Sequence, residues 1–146
     1  MSSIWAIDGI TPEACQKRFV GTMMEAMKVS VEEIGSNFIK ASMPVFENTV
    51  QPYRILHGGA SVALAETLGS MASNFVLGDV GKVAVGQSIN ANHIRPVPFG
   101  KHVTAITRPI HLGKSSHVWE IEIFNDENKL VCVSRLTMAI VDKPSN

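Results

Sequence analysis

Glu66 stands in the most apolar run of the chain, between Ala65 and Thr67 and within a helical turn of Val62, Ala63 and Leu68. An ionised carboxylate in such surroundings is costly unless it is paired or hydrogen-bonded, so its presence needs a reason. One reading is structural: a buried Glu bonded to a backbone group or to a basic residue from the sheet. The other is chemical: a nucleophile or general base, because burial raises a carboxyl pKa and sets the group where water can be controlled. Ser70 lies four residues on, on the same helix face, where it can bond Glu66 or position a water. Small hydroxyl residues also fill gaps in helix packing.

His57-Gly58-Gly59 precedes the same run. A helix N-terminus there presents unpaired N–H groups with partial positive charge, able to bind an anion or polarise a carbonyl oxygen. The plainer reading of the two glycines is a tight loop-to-helix turn. Spacing adds a constraint: Gly58 and Glu66 are eight residues apart, about 12 Å along a helix. A carbonyl polariser and its attacking group must both lie within about 3 Å of one small group. One helix cannot supply both. If both act in one site, two chains share it, which makes the protein a two-fold dimer with two equivalent sites at the interface.

The elements that must position these residues follow from periodicity. Residues 58–77 carry apolar groups all round a helical wheel, which predicts a helix enclosed by protein and about 30 Å long. Thr11-Pro12-Glu13 reads as an N-cap with proline at the first helical position, opening a leading helix that runs to about Met27. Residues 36–45 alternate as a half-buried strand does, and 46–56 lose that period and read as a loop. After Gly78-Asp79-Val80-Gly81, four strands are expected at 83–95, 102–111, 118–124 and 130–141, with turns between them. Short connections make them antiparallel, so the fold is α+β: one sheet curled around one long helix.

At 146 residues and 45% hydrophobic content the chain suits a single domain over 1–146. Thirteen basic residues balance thirteen acidic ones, leaving no long-range field to gather nucleic acid or an anionic membrane. Cys15 and Cys132 lack metal-ligand spacing and are too few for a disulfide scaffold, which points to the cytoplasm. No export signal or membrane span is read.

Gln51-Pro52, Leu56-His57-Gly58-Gly59-Ala60-Ser61 and Leu64-Ala65-Glu66-Thr67-Leu68-Gly69-Ser70 together resemble a known signature, continued by residues 89–96, 111–113, 118–121 and 134–136. It is that of hotdog-fold acyl-CoA thioesterases of the Arthrobacter 4-hydroxybenzoyl-CoA type. Within that family the chain is most similar to the branch holding 1,4-dihydroxy-2-naphthoyl-CoA hydrolases and enterobactin-synthesis proofreading thioesterases. The resemblance implies homodimers, commonly paired into homotetramers, acting on an aromatic or bulky acyl-CoA or a carrier-protein thioester. It implies no metal and no cofactor, coenzyme A being part of the substrate. It makes Glu66 the nucleophile or general base, with the Gly58 N–H and Gln51 polarising the thioester carbonyl, His57 placing substrate, and Ser70 orienting water or carboxylate. His93, Arg95, Lys114, Ser115, Ser116 and His117 would meet the phosphates and nucleotide of coenzyme A. Tyr53-Arg54 stands where that branch has Phe-Gly, and Gln87-Ser88 where it has an acidic residue. A dehydratase or hydratase of the same fold and a non-catalytic acyl-CoA binder are the alternatives. The first places its His and carboxylate differently, and the second has no use for Glu66.

Overall fold

Thr11 and Pro12 start the first helix as their types demand. Thr11 Oγ1 accepts the Ala14 N–H at 3.1 Å and Pro12 takes the opening position of α1 (Pro12–Lys17) in the computed structural model, which describes residues 2–145. The single leading helix expected to Met27 is in fact two. Gly21 turns the chain at φ 72° and Thr22, whose side chain accepts from the Met24 N–H, caps a second helix, α2 (Met23–Ala26). Then come β1 (Ser30–Ile34), β2 (Ile39–Pro44), α3 (Gly58–Leu77), β3 (Lys82–His93), β4 (His102–Leu112), β5 (Ser116–Asn125) and β6 (Leu130–Asp142). The sequence reading lacks β1. That strand lies at a sheet edge and buries Val31 alone, so it has no apolar alternation to find.

The six strands form one antiparallel sheet in the order β1-β2-β4-β5-β6-β3. Alternate residues turn inward: Ile39, Ala41 and Met43 of β2, and Trp119, Ile121 and Ile123 of β5, are all buried. They meet Leu64, Leu68 and Ala72 of α3, giving the arrangement expected of a hotdog fold, a curved sheet around one long helix. No helix of the described residues is long and apolar enough to cross a membrane.

The helix is not enclosed, contrary to the reading of its apolar wheel. Leu64, Ala65, Leu68 and Ala72 face the sheet, whereas Val62, Ala63, Glu66, Thr67 and Ser70 form a half-exposed stripe along the other side. One sheet covers one side of a helix, and on the other side Met24 meets Thr67 while the stripe stays partly exposed. Beside this stripe runs β3, an unpaired edge of twelve residues with Val85 45% exposed.

A polar knot ties α3 to the sheet. Ser73, fully buried, accepts the Trp119 Nε1–H at 2.6 Å and lies 3.1 Å from Nδ1 of His117. Trp5 stacks on Trp119 with centroids 6.4 Å apart and donates from Nε1 to the Gly35 carbonyl at 2.8 Å, so the N-terminal segment is fastened across the end of the helix. Burial pushes the His117 imidazole below its ordinary 6.5, and repulsion from His111 adds to the shift. The folded chain therefore favours the neutral ring. Its stabilising contribution is complete above about pH 6.5, the unfolded value, and is lost as the pH falls from there through the lowered folded value. Urea unfolding from pH 7.5 to 5 is expected to show stability falling on acidification, with a shallower fall in His117→Gln. An unaltered slope in the variant would place the acid sensitivity elsewhere.

Candidate active site

The loop before α3 folds back on itself. Val50 bridges Leu56, the His57 N–H donates to the Thr49 carbonyl at 2.8 Å, and the Arg54 N–H donates to the Gln51 carbonyl at 2.8 Å. Gln51 therefore hangs from the same end of α3 as Gly58. The Tyr53 N–H donates to Gln51 Oε1, so the carboxamide oxygen is occupied and its NH2 is the group left to donate outward. Arg54 holds φ 61° and lays its guanidinium 4.2 Å from the Phe99 ring centroid, which commits it to the 96–100 loop.

His57 is the N-cap of α3. Its Nδ1 accepts the Gly59 N–H at 2.8 Å, and its carbonyl accepts from Ala60 and Ser61 at 3.0 and 3.3 Å. Among the described residues no acceptor partners the Gly58 N–H, so the positive end of a twenty-residue helix dipole opens there. His93 stands over it: a Cβ on Gly58 would lie 2.8 Å from His93 Nε2. Gly58, Ser61, His93 and Arg95 border a pocket of about 320 Å3. Arg95 Nη1 donates to the Leu130 carbonyl at 2.7 Å.

Glu66 lies eight residues further along the same unbroken helix, about 12 Å away. It is half-buried and opens with Ala63, Thr67, Ser70 and Met23 onto a pocket of about 370 Å3. Among the described residues its carboxylate has no hydrogen-bond donor and no basic side chain at ion-pair distance. The structural reading, a carboxylate tied to backbone or to a sheet cation, finds no such tie among the described residues. Ser70 Oγ points one turn on toward Met138 Sδ, 3.6 Å away.

Gly86 is a site residue that the sequence reading passed over. A Cβ there would collide with Glu66 Oε1, so the missing side chain makes room for the carboxylate where β3 bulges between Gly86 and Ser88. The signal was present, since a glycine inside a strand marks a bulge or a close approach. A larger cavity of about 660 Å3, also unforeseen, adjoins Glu66's pocket through shared Met23, Thr67 and Ser70 and runs along the second half of α3 to Phe75 and Gly78. Phe19, Met23 and Met24 wall it from across the chain. Nothing local in residues 19–24 marks them for that place.

The expected coenzyme A contacts do not form one cluster. His93 pairs with Cys132 of β6 and Ser116 with Ala139, seven residues and about 23 Å apart along one strand. Lys114 and Ser115, exposed in the β4–β5 turn, and Ser116 at its end thus sit at the opposite end of the sheet from His93 and Arg95. His117 departs from expectation altogether. It is 2% exposed and points into the core against Ser73, since strand alternation from Ser116 turns it inward.

The family model described as the thioesterase superfamily matches residues 53–132. The 1,4-dihydroxy-2-naphthoyl-CoA hydrolase of Escherichia coli (strain K12) is 45% identical to this chain over 132 residues, 90% of this chain and 96% of that one. A proofreading thioesterase of Cronobacter sakazakii is 44% identical over 132 residues, covering 90% and 95%. The crystal structure of a thioesterase from Haemophilus influenzae superposes with a TM-score of 0.90 at 44% identity, covering 95% of each chain.

The cap gives a direct test. His57→Ala removes the acceptor for the Gly59 N–H and is expected to cost about 1 kcal/mol of unfolding free energy. His57→Asn, a good capping residue, should keep most of it in urea denaturation. Equal losses in both would mean that the ring stabilises α3 by something other than its Nδ1.

Proposed function

The chain belongs to the thioesterase superfamily and is a thioester hydrolase, and from that premise we propose that it cleaves an aromatic or otherwise bulky acyl-CoA, with carrier-protein thioesters as possible further substrates. The observation that carries this reading is the Glu66 carboxylate, which has no partner among the described residues and faces a cavity large enough for an acyl group. Glu66 attacks the thioester carbonyl, or takes a proton from a water that does. Attack by Glu66 breaks the C–S bond and leaves an acyl anhydride that water then hydrolyses, whereas attack by water breaks it directly. In both routes a proton passes to the thiolate, and the acid and coenzyme A thiol leave. The Gly58 N–H and the Gln51 carboxamide NH2 donate to the carbonyl oxygen as it gains charge. Ser70 orients water or carboxylate, and His57 acts by holding the helix start with its Nδ1, its Nε2 remaining for substrate.

This reading requires two chains. A rigid helix keeps Gly58 and Glu66 about 12 Å apart, so each site takes Gly58 from one protomer and Glu66 from its partner. The β3 edge and the open stripe of α3 are the surfaces that such a dimer covers. Antiparallel pairing of two β3 edges sets one chain's His93 end beside the other's Lys82 end, two strands from Lys114, Ser115 and Ser116. A single coenzyme A then meets His93 and Arg95 from one chain and the β4–β5 turn from the other. Pairing of dimers into tetramers goes with the same reading, as does a cytoplasmic location, both cysteines being buried free thiols.

Thiol release from benzoyl-CoA, a dihydroxynaphthoyl-CoA and aliphatic acyl-CoAs tests the activity, and no release from any of them would overturn it. Glu66→Gln should lower kcat by about 100-fold or more while coenzyme A binding persists. Gly86→Ala should displace the carboxylate and cost on the order of 10- to 100-fold in kcat, with little change in the unfolding midpoint because the atom it meets is the end of a flexible side chain. Mixing inactive Glu66→Ala and Gly58→Pro chains should restore activity through hybrid dimers. Proven hybrids that stay inactive would refute the shared site.

A further inference from the structure

The 660 Å3 cavity beside Glu66 is apolar along its length and cationic at its far end. Phe19, Met24, Met71 and Phe75 form its walls. Its neutral polar groups are already occupied: Asn74 bonds the Ser70 carbonyl and both backbone groups of Ala84, Thr22 bonds the Phe19 carbonyl, and Thr67 bonds the Ala63 carbonyl. Apart from Ser70, beside the reacting carboxylate, the groups left to face a ligand there are Arg18, Lys82 and Lys143, brought together from three separate parts of the chain, and among the described residues no acidic side chain lines the cavity.

Lys82 is compensated by Asp142 at 2.6 Å. Arg18 and Lys143 have no carboxylate at ion-pair distance among the described residues. Arg18 is held at the wall, its Cζ 5.4 Å from the centroid of the Phe75 ring, and the Lys143 backbone is fixed by its N–H donating to the Gly81 carbonyl at 2.9 Å. Phe75 is nine residues beyond Glu66 on α3, about 13 Å along the axis. A chain of apolar wall therefore separates the reacting carboxylate from two uncompensated cations.

We propose that the acyl group this enzyme accepts carries a carboxylate at the end remote from the thioester. The inference rests on the reading of Glu66 as the group that cleaves the thioester, and it specifies the substrate class of that same site. The apolar middle of the acyl group fills the walls between Phe19 and Met71, and its terminal carboxylate meets Arg18 and Lys143 in place of water.

The test compares octanoyl-CoA with the mono-CoA thioester of the eight-carbon dicarboxylic acid, in the wild-type enzyme and in Arg18→Gln/Lys143→Gln. The wild type should favour the carboxylated thioester in kcat/KM. The double variant should reduce that preference roughly tenfold, each exposed ion pair contributing at most about fivefold, and added salt should compress it in the wild type. No preference in the wild type, or an equal loss on both substrates in the variant, overturns the proposal. Calorimetry with the non-cleavable thioether analogues of the same pair separates the two readings. A carboxylated analogue that binds no tighter than its neutral match overturns the proposal here. Tighter binding with no thiol released from either thioester overturns the catalytic reading alone.

Discussion

A helix holds its residues at a fixed rise, and in α3 that rise keeps Gly58 and Glu66 about 12 Å apart along the axis. The Glu66 side chain is too short to close that separation, because the backbones of both residues belong to one continuous hydrogen-bonded helix. A carbonyl that must be polarised and attacked at once therefore cannot sit between them in one chain. The other features of the site follow from that separation. Among the described residues the carboxylate has no partner and the Gly58 N–H no acceptor, and each is set beside surface that a single chain does not cover.

The sheet supports this arrangement by covering α3 on one side only. Inward residues such as Ile39, Ile121 and Leu136 bury Leu64 and Leu68 completely, while the stripe through Ala63, Glu66, Thr67 and Ser70 stays half-exposed. Where β3 passes that stripe it has no side chain at Gly86 and an extra residue before Ser88, so the strand bends around the carboxylate instead of packing over it. The buried Ser73, Trp119 and His117 hold the other side of the helix in register with β5. A polar knot of this kind is costly to leave half-made, which favours one docking of helix on sheet over neighbouring ones.

Much of this was legible in local pattern. The bounds of α3, the four later strands and the cap at Thr11 all depend on residues within one or two turns of each other, and propensity and periodicity report such short-range preferences directly. The resemblance carried by the Gln51, His57-Gly58-Gly59 and Glu66 segments pointed to the family to which the chain belongs. Strand β1 was not legible, because SVEEI at a sheet edge has a single buried residue and so no period. The break between α1 and α2 was marked by Gly21 and Thr22, yet the apolar spacing on either side continued through it.

The sequence by itself determined which residues carry chemical potential and how far apart the helix must hold them, since residue type and helical rise are local quantities. Only the tertiary structure decided which of them meet. It turned His117 into the core by strand alternation, put Lys114 and His93 at opposite ends of β6, brought Gly86 against Glu66, and closed a cavity with Phe19, Met23 and Met24 from far along the chain. It also left one side of α3 open, although its apolar residues run all round the wheel. The physical reason is the same in each case. Hydrophobicity records that a side chain leaves water, but the direction from which it is covered is set by packing between segments distant in sequence.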